Sequence, residues 1–272
     1  MYIVSTPIGN LEDISLRALR VLREAQLIAA EDTRRTRKLL QAYEINTPLT
    51  SLYEQNESRK SGALITKILA GADLAYVSDA GTPGISDPGY LLIQEALAKG
   101  IRLVAIPGAC AALAALSISG LPTDKFIFYG FLPAKAGKRQ HFLQSLEKET
   151  KTMVFYESPL RLMATLQDLM ATLGNRKIVV IRELTKLYEE ILRGAVDEIL
   201  EALAGRVVKG EITLVLAGRG ETEVPDPVED IHRLLARDED SALSKRDLIR
   251  EISLTLGVPR NLVYREVMKK TR

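Results

Sequence analysis

The fold turns on one stretch: Leu74-Ala75-Tyr76-Val77-Ser78-Asp79-Ala80-Gly81-Thr82-Pro83-Gly84-Ile85-Ser86-Asp87-Pro88-Gly89. It opens as a short apolar run of strand type, Leu74–Ser78, and passes directly into glycine, proline and small polar residues. Helical spacing follows from Asp87 to Lys99, and Arg102–Ile106 is strand-like again. Strand, loop, helix and strand in that order make a parallel crossover unit. The same alternation extends towards the N-terminus. Tyr2–Ser5 and Leu27–Ala30 read as strands, with helices over Ile14–Ala25, Thr33–Tyr43 and Ser58–Ala70 and a short strand at Ser51–Tyr53. The prediction is a parallel sheet in an α/β domain spanning 1–120.

Gly120-Leu121-Pro122-Thr123 punctuates the chain, and a second α/β domain is expected over 121–224. Its strands are Phe126–Phe131, Thr152–Tyr156, Lys177–Glu183, Tyr188–Arg193 and Glu211–Ala217. Two of them adjoin without an intervening helix, which predicts a mixed sheet. Pro225-Asp226-Pro227 reads as a linker to a helical appendage, 225–272, with helices over Val228–Arg237, Ser241–Leu256 and Pro259–Lys270. Leu256-Gly257-Val258-Pro259 is a turn of helix-turn-helix kind.

The 272 residues include 37 basic and 35 acidic side chains, a formal charge of +2, so a globally basic nucleic-acid binder is not indicated. The single Cys110 and the distant His141 and His232 have no ligand spacing, which argues against a zinc site. Met1-Tyr2-Ile3-Val4-Ser5 reads as a first strand, and a cytoplasmic location is expected. The uncharged run Leu103–Leu121 contains Pro107 and Gly108 and is rich in alanine, so it reads as strand, turn and small-residue helix, with no membrane association.

Ligands of open parallel sheets sit beyond the carboxyl ends of the strands. Three segments there are unusually rich in Gly, Pro and small polar residues: Ser5–Asn10, Asp79–Gly89 and Pro107–Cys110. Together they predict a binding cleft. No GxGxxG follows the first strand, and Gly130–Arg139 fails as a phosphate loop, since Arg139 follows Gly137-Lys138 where Ser or Thr is needed. Asp79 and Asp87 on the long loop disfavour a pyrophosphate and tolerate a cationic or zwitterionic ligand; a sulfonium amino acid with a ribose would suit them.

At these residues the sequence resembles the bacterial small-subunit ribosomal RNA 2′-O-methyltransferase I family of the tetrapyrrole methylases. The likeness is carried by Ser5-Thr6-Pro7-Ile8-Gly9-Asn10-Leu11, Ala30-Glu31-Asp32-Thr33-Arg34, Val77–Pro83 and Asp87-Pro88-Gly89. It continues through Pro107–Ala112, Gly120-Leu121-Pro122, Gly130–Pro133 and Phe155-Tyr156-Glu157-Ser158, and spans effectively the whole chain. Ala109 stands where the family pattern has proline, and Gly84-Ile85-Ser86 replaces a Leu-Ile-Asn-like run. The resemblance implies two α/β domains with S-adenosylmethionine between them, a homodimer, and methylation of a cytidine ribose in the decoding region of 16S rRNA, with the 30S subunit as substrate. It implies cofactor contacts from Ile8, Asp79, Cys110, Ala111, Tyr156, Glu157 and the segment Leu214 to Ala217. Thr82, Ile85 and Ser86 are further candidates.

A general base near the weakly acidic 2′-hydroxyl would assist the transfer. Glu31 and Asp32, at a strand end, are the expected catalytic residues; as alternatives they form an N-cap and acidic first turn. Glu157 is a further acidic candidate, equally suited to holding the cofactor. For RNA, phosphate neutralisation is expected from Arg34, Arg35, Arg37 and Lys38, and from Lys135, Lys138 and Arg139 with His141. The C-terminal helices, including Lys245 and Arg246, carry eight basic and three acidic residues from Ser241 onward. Two other readings stay open: a small-molecule methylase acting on a tetrapyrrole-like compound, and a non-enzymatic nucleic-acid-binding regulator.

Overall fold

The computed structural model describes residues 1–220, 231, 234–235, 245–256, 258 and 260–270. Met1–Gly218 is one compact unit, and the residues from Arg219 onward belong to a second. The first unit contains two five-stranded sheets. In the first sheet, β1 (Tyr2–Val4), β2 (Leu27–Ala30), β3 (Leu49–Ser51), β4 (Leu74–Val77) and β5 (Val104–Ile106) lie in the order β3-β2-β4-β1-β5. Every pairing is parallel. Helices α1 (Leu16–Glu24) and α2 (Thr33–Ala42) cover one face, and α3 (Glu54–Leu69) and α4 (Tyr90–Ala98) the other. This two-sided cover is why β4 is buried along its whole length.

Local chemistry sets the helix ends. The Ser15 hydroxyl accepts from the Ala18 N–H to start α1, and the Asp32 carboxylate accepts from the Arg34 N–H to start α2. The short strand expected at Ser51–Tyr53 lies two residues earlier, at Leu49–Ser51, and α3 and α4 start three or more residues from their predicted positions. α3 begins at Glu54, four positions early, because the Asn56 side chain accepts the Tyr53 N–H and caps a turn that spacing alone does not reveal. α4 begins at Tyr90, because Pro88 disfavours a helical Asp87 and Gly89 turns the chain at φ 122°.

The second sheet is mixed, in the order β6-β7-β10-β8-β9. β6 (Phe126–Phe131) and β7 (Thr152–Glu157) are parallel. β10 (Ile212–Leu216) runs antiparallel to both β7 and β8 (Lys177–Arg182), and β9 (Glu190–Ala195) is antiparallel to β8. Helices α6 (Ala136–Ser145), α7 (Leu162–Leu173) and α8 (Val196–Ala202) pack on one face through Leu143, Leu166, Leu169 and Ile199. The other face takes α5 (Ala111–Ser117), whose Ala112, Ala115 and Leu116 meet Val154, Val179, Ile181 and Val215. α5 follows the last strand of the first sheet yet buries its small apolar face on the second. Both sheets nevertheless lie in the one compact unit Met1–Gly218.

In the second unit the helices Lys245–Leu256 and Arg260–Lys270 enclose an apolar cluster of Ile231, Leu235, Ile252, Val263 and Val267. The Val258 N–H bonds to the Ser253 carbonyl, and the Ser253 hydroxyl to the Val258 carbonyl, closing the turn between them. The expected linker 225–227, His232, Gly257 and Pro259 lie outside the described residues, as do the side chains of Lys245 and Arg246. Among the described residues, no helix is long and apolar enough to cross a membrane.

Candidate active site

In the order β3-β2-β4-β1-β5 the connection after β1 runs to β2 on one side and that after β4 runs to β5 on the other. Their carboxyl ends thus form the crevice at which open α/β sheets bind ligands. The loops there are stitched together. Thr6 and Gly81 exchange backbone hydrogen bonds of 2.9 and 3.0 Å. The Ser5 and Thr82 hydroxyls bond at 2.9 Å, and the Thr82 hydroxyl donates to the Ala109 carbonyl at 3.1 Å. Gly108 lies against Ser5, where an added Cβ would come within 2.8 Å of the Ser5 Cβ. The three glycine-rich segments predicted to form a cleft are physically one rim.

The neighbouring rim is acidic. The Glu31 carboxylate accepts the Asp79 N–H at 3.2 Å, and the Asp79 carboxylate accepts the Asp32 N–H at 2.8 Å, a reciprocal clasp between the ends of β2 and β4. Arg35 approaches Asp79 at 3.5 Å. Burial pushes the Glu31 carboxyl up, the Asp79 N–H opposes this, and the charges of Asp79 and Asp87 add to the rise. Burial likewise raises Asp87, to about 6, against the Ser78 hydroxyl and with help from Asp79. Asp32 is different. Its carboxylate caps α2 and grips the Arg34 guanidinium at 2.7 and 3.1 Å, which holds it well below the usual carboxylate range.

The second sheet closes the cleft. The Tyr156 hydroxyl accepts the Ala112 N–H at 3.2 Å, and the ring meets Phe128 and Phe131 edge to face. Glu157 is fully enclosed. Its carboxylate accepts from the Ser158 N–H, the Thr165 hydroxyl and Arg161, which makes it a structural anchor with no side-chain oxygen left to serve as a base. The resulting cleft has a volume of about 380 Å³, within the range of small-molecule sites. No group of three or more His, Cys, Asp or Glu that could hold a metal occurs among the described residues.

Residues 1–200 match the family described as Tetrapyrrole (Corrin/Porphyrin) Methylases. A relative from Halalkalibacterium halodurans, named Ribosomal RNA small subunit methyltransferase I, is 43% identical over 97% of this chain and 93% of its own length. The chain belongs to the ribosomal RNA small subunit methyltransferase I family. A shorter member from Thermotoga maritima is 47% identical and is matched over 98% of its length by 80% of this chain. Among solved structures, uroporphyrin-III C-methyltransferase from Thermus thermophilus, complexed with S-adenosylhomocysteine, shares the fold. Its TM-score is 0.54 at 17% identity, over 79% of this chain and 95% of that one.

In this member of the methyltransferase I family the cleft brings together Ile8, Asp79, Thr82, Ile85, Ser86, Cys110, Ala111, Tyr156 and Glu157, nine of the expected cofactor residues. It does not bring Leu214 and Ala217. β10 is antiparallel to β7, so the strand's start reaches the cleft. Thr213 pairs with Tyr156 and Ile212 with Glu157, whereas Leu214 is buried in the core behind Phe155. Ala217 lies past the far end of the strand, bonded to the Lys177 carbonyl. The segment that lines the site is Gly210–Thr213. Of the expected acidic pair, Glu31 lines the cleft and Asp32 serves as the helix cap. Asp87, Arg35 and Phe131 also line it. Asp87 and its charge were legible in the loop sequence; its place on the wall was not.

The expected RNA residues divide by exposure. Arg34, Arg35, Arg37 and Lys38 all project from α2, whose Thr36 and Leu40 face inward. Lys135 and Lys138 are exposed as well. Arg139, expected at the RNA, is not available to it. It is buried between α6 and α7 and bonds Asp168 through both Nε and Nη2 at 2.6 Å, so its charge is spent in the core rather than offered to a phosphate.

Proposed function

We propose that this chain transfers the methyl group of S-adenosylmethionine to the ribose 2′-hydroxyl of a cytidine in the decoding region of 16S rRNA, within the 30S subunit. The proposed assembly is a cytoplasmic homodimer. The observation that carries the reading is the cleft at the switch point, in which the loops bearing the family likeness meet the start of β10.

The chemistry of that cleft suits the cofactor. Its carboxylates favour a sulfonium and can accept from an ammonium or from ribose hydroxyls, while Ile8, Ile85 and Tyr156 offer apolar surface. When bound, S-adenosylmethionine supplies an activated methyl on a positively charged sulfur. The protein's task is then to align the acceptor oxygen, a contribution of several kcal/mol. We assign Glu31 to the reacting ribose as a hydrogen-bond acceptor, with Asp32 holding the start of α2 beside it. Ile8, Asp79, Thr82, Ile85, Ser86, Cys110, Ala111, Tyr156 and the backbone of Glu157 are assigned to the cofactor. Arg34, Arg35, Arg37 and Lys38 are assigned to rRNA phosphates, with Lys135, Lys138, Lys245 and Arg246 as further contacts. Residues 1–120 and 121–224 act as the two halves of the methylase, and 225–272 as a ribosome-docking appendage.

Tritiated methyl transfer tests the reading against 30S subunits, naked rRNA and tetrapyrroles, with S-adenosylmethionine titrated by calorimetry. Label on the 2′-oxygen of one cytidine in 30S subunits is the expected result. Label on a tetrapyrrole alone, or no cofactor binding, would overturn it.

A further inference from the structure

Besides Glu157, whose carboxylate is fully bonded, four acidic residues line the cleft: Glu31, Asp79, Asp87 and Glu211. Three are already committed. Glu31 accepts the Asp79 N–H, Asp79 accepts the Asp32 N–H and faces Arg35, and Glu211 pairs with Lys186 at 3.1 Å. In each of these three at least one carboxylate oxygen is already bonded to a protein group, which an incoming hydroxyl would have to share or displace.

Asp87 is held differently. It is half-buried, the Ser78 hydroxyl lies near it and favours its charged form, and no backbone N–H or cation is bonded to it among the described residues. Pro88 restrains the turn that presents it, and Gly89 lies so close to the Tyr76 ring that a side chain there would collide with it. The Tyr76 hydroxyl behind this turn is buried and finds no partner among the described residues.

We propose that Asp87 accepts the proton of the ribose 2′-hydroxyl during methyl transfer. This rests on the reading of the cleft given above. The ribose oxygen gains its bond to the methyl carbon as the carbon–sulfur bond breaks, with that electron pair remaining on sulfur. The hydroxyl proton passes to a carboxylate oxygen of Asp87 and then to solvent.

The groups around Asp87 shape its basicity. Asp79 and Glu31 stand at the ends of β4 and β2, and Arg35 on α2 is engaged with Asp79. Tyr76 of β4 and Tyr156 of β7 lie within its field, with Glu57 of α3 beyond Tyr76. With its value raised to about 6, Asp87 is ionised at neutral pH yet more basic than a solvent-exposed aspartate.

The test uses the full chain with unmethylated 30S subunits. Single-turnover methyl transfer is followed from pH 5 to 8.5 for the wild type, Asp87→Asn, Asp87→Glu and Glu31→Gln, with S-adenosylhomocysteine affinity measured by calorimetry for each. The wild-type rate should rise about tenfold per pH unit up to a value near 6 and then level. Asp87→Asn should be slower by about 100-fold or more, lack that rise, and bind S-adenosylhomocysteine within about twofold of wild type. Asp87→Glu should regain part of the rate together with the pH dependence, and Glu31→Gln should keep the limb near pH 6. The assignment is overturned if Asp87→Asn keeps the wild-type rate and profile, or if its rate falls only in step with its affinity for S-adenosylhomocysteine. A wild type that neither binds the cofactor product nor methylates 30S subunits would remove the functional reading itself, and this assignment with it.

Discussion

Replacing Arg139 by alanine would strand the Asp168 carboxylate in the core, where Arg139 and Gln140 now satisfy it. Breaking a buried pair from one side costs about 3–5 kcal/mol. The urea midpoint of Arg139→Ala should fall accordingly, while 30S binding per folded molecule stays as in the wild type. Asp87 makes the opposite prediction. Its carboxyl sits at about 6 in the folded protein against an ordinary 3.8. The folded state therefore binds the proton more tightly, and its contribution to stability is full below pH 4 and lost as pH rises through 6. Asp87→Asn should be more stable than wild type at pH 8, by about 1 kcal/mol once water screening is allowed for. The two should melt together at pH 4. A stabilising change that abolishes activity is the expected mark of a residue kept for function. The loop sequence led to Asp79 and the family resemblance to Tyr156. Neither could separate Arg139 from Lys138, because one position along a helix decides between core and solvent.

At the scale of elements, the loops after β1, β4 and β5 act as one part. Gly108→Ala would drive a methyl group against Ser5 and part the β1 and β5 loops. A loss of about 1–3 kcal/mol in thermal unfolding is expected, along with weaker S-adenosylmethionine binding by calorimetry. Helix α2 is assigned a separate role, contact with rRNA phosphates. Combined alanine changes at Arg34, Arg37 and Lys38 should weaken 30S binding and flatten its salt dependence, by about 0.7–0.9 in log–log slope for each phosphate no longer neutralised. Cofactor affinity should remain, because these three side chains are exposed and none lines the cleft. The strands of the first sheet were readable from apolar runs between turn residues. The start of α3 was not, since its cap is the side chain of Asn56 rather than a residue at the boundary itself.

For the molecule as a whole, the shorter Thermotoga maritima relative carries the same family name while matching 80% of this chain. Met1–Gly218 contains both sheets and the entire cleft. Deleting residues 225–272 should therefore leave S-adenosylmethionine binding intact and lower 30S affinity, as calorimetry and filter binding would register; unchanged 30S methylation would end the docking role. The sequence by itself determined the alternation of strand and helix, the parallel first sheet and the three ligand loops. Each of these follows from local periodicity and from the rule that crossover units expose their strand ends. Only the tertiary structure decided that β10 enters the cleft by its start and that Arg139 is consumed by Asp168. It also decided that Asp87, unlike Glu31, Asp79 and Glu211, has no N–H or cation bonded to it among the described residues. Those outcomes depend on strand direction and on partners far apart in the chain, which no local pattern encodes.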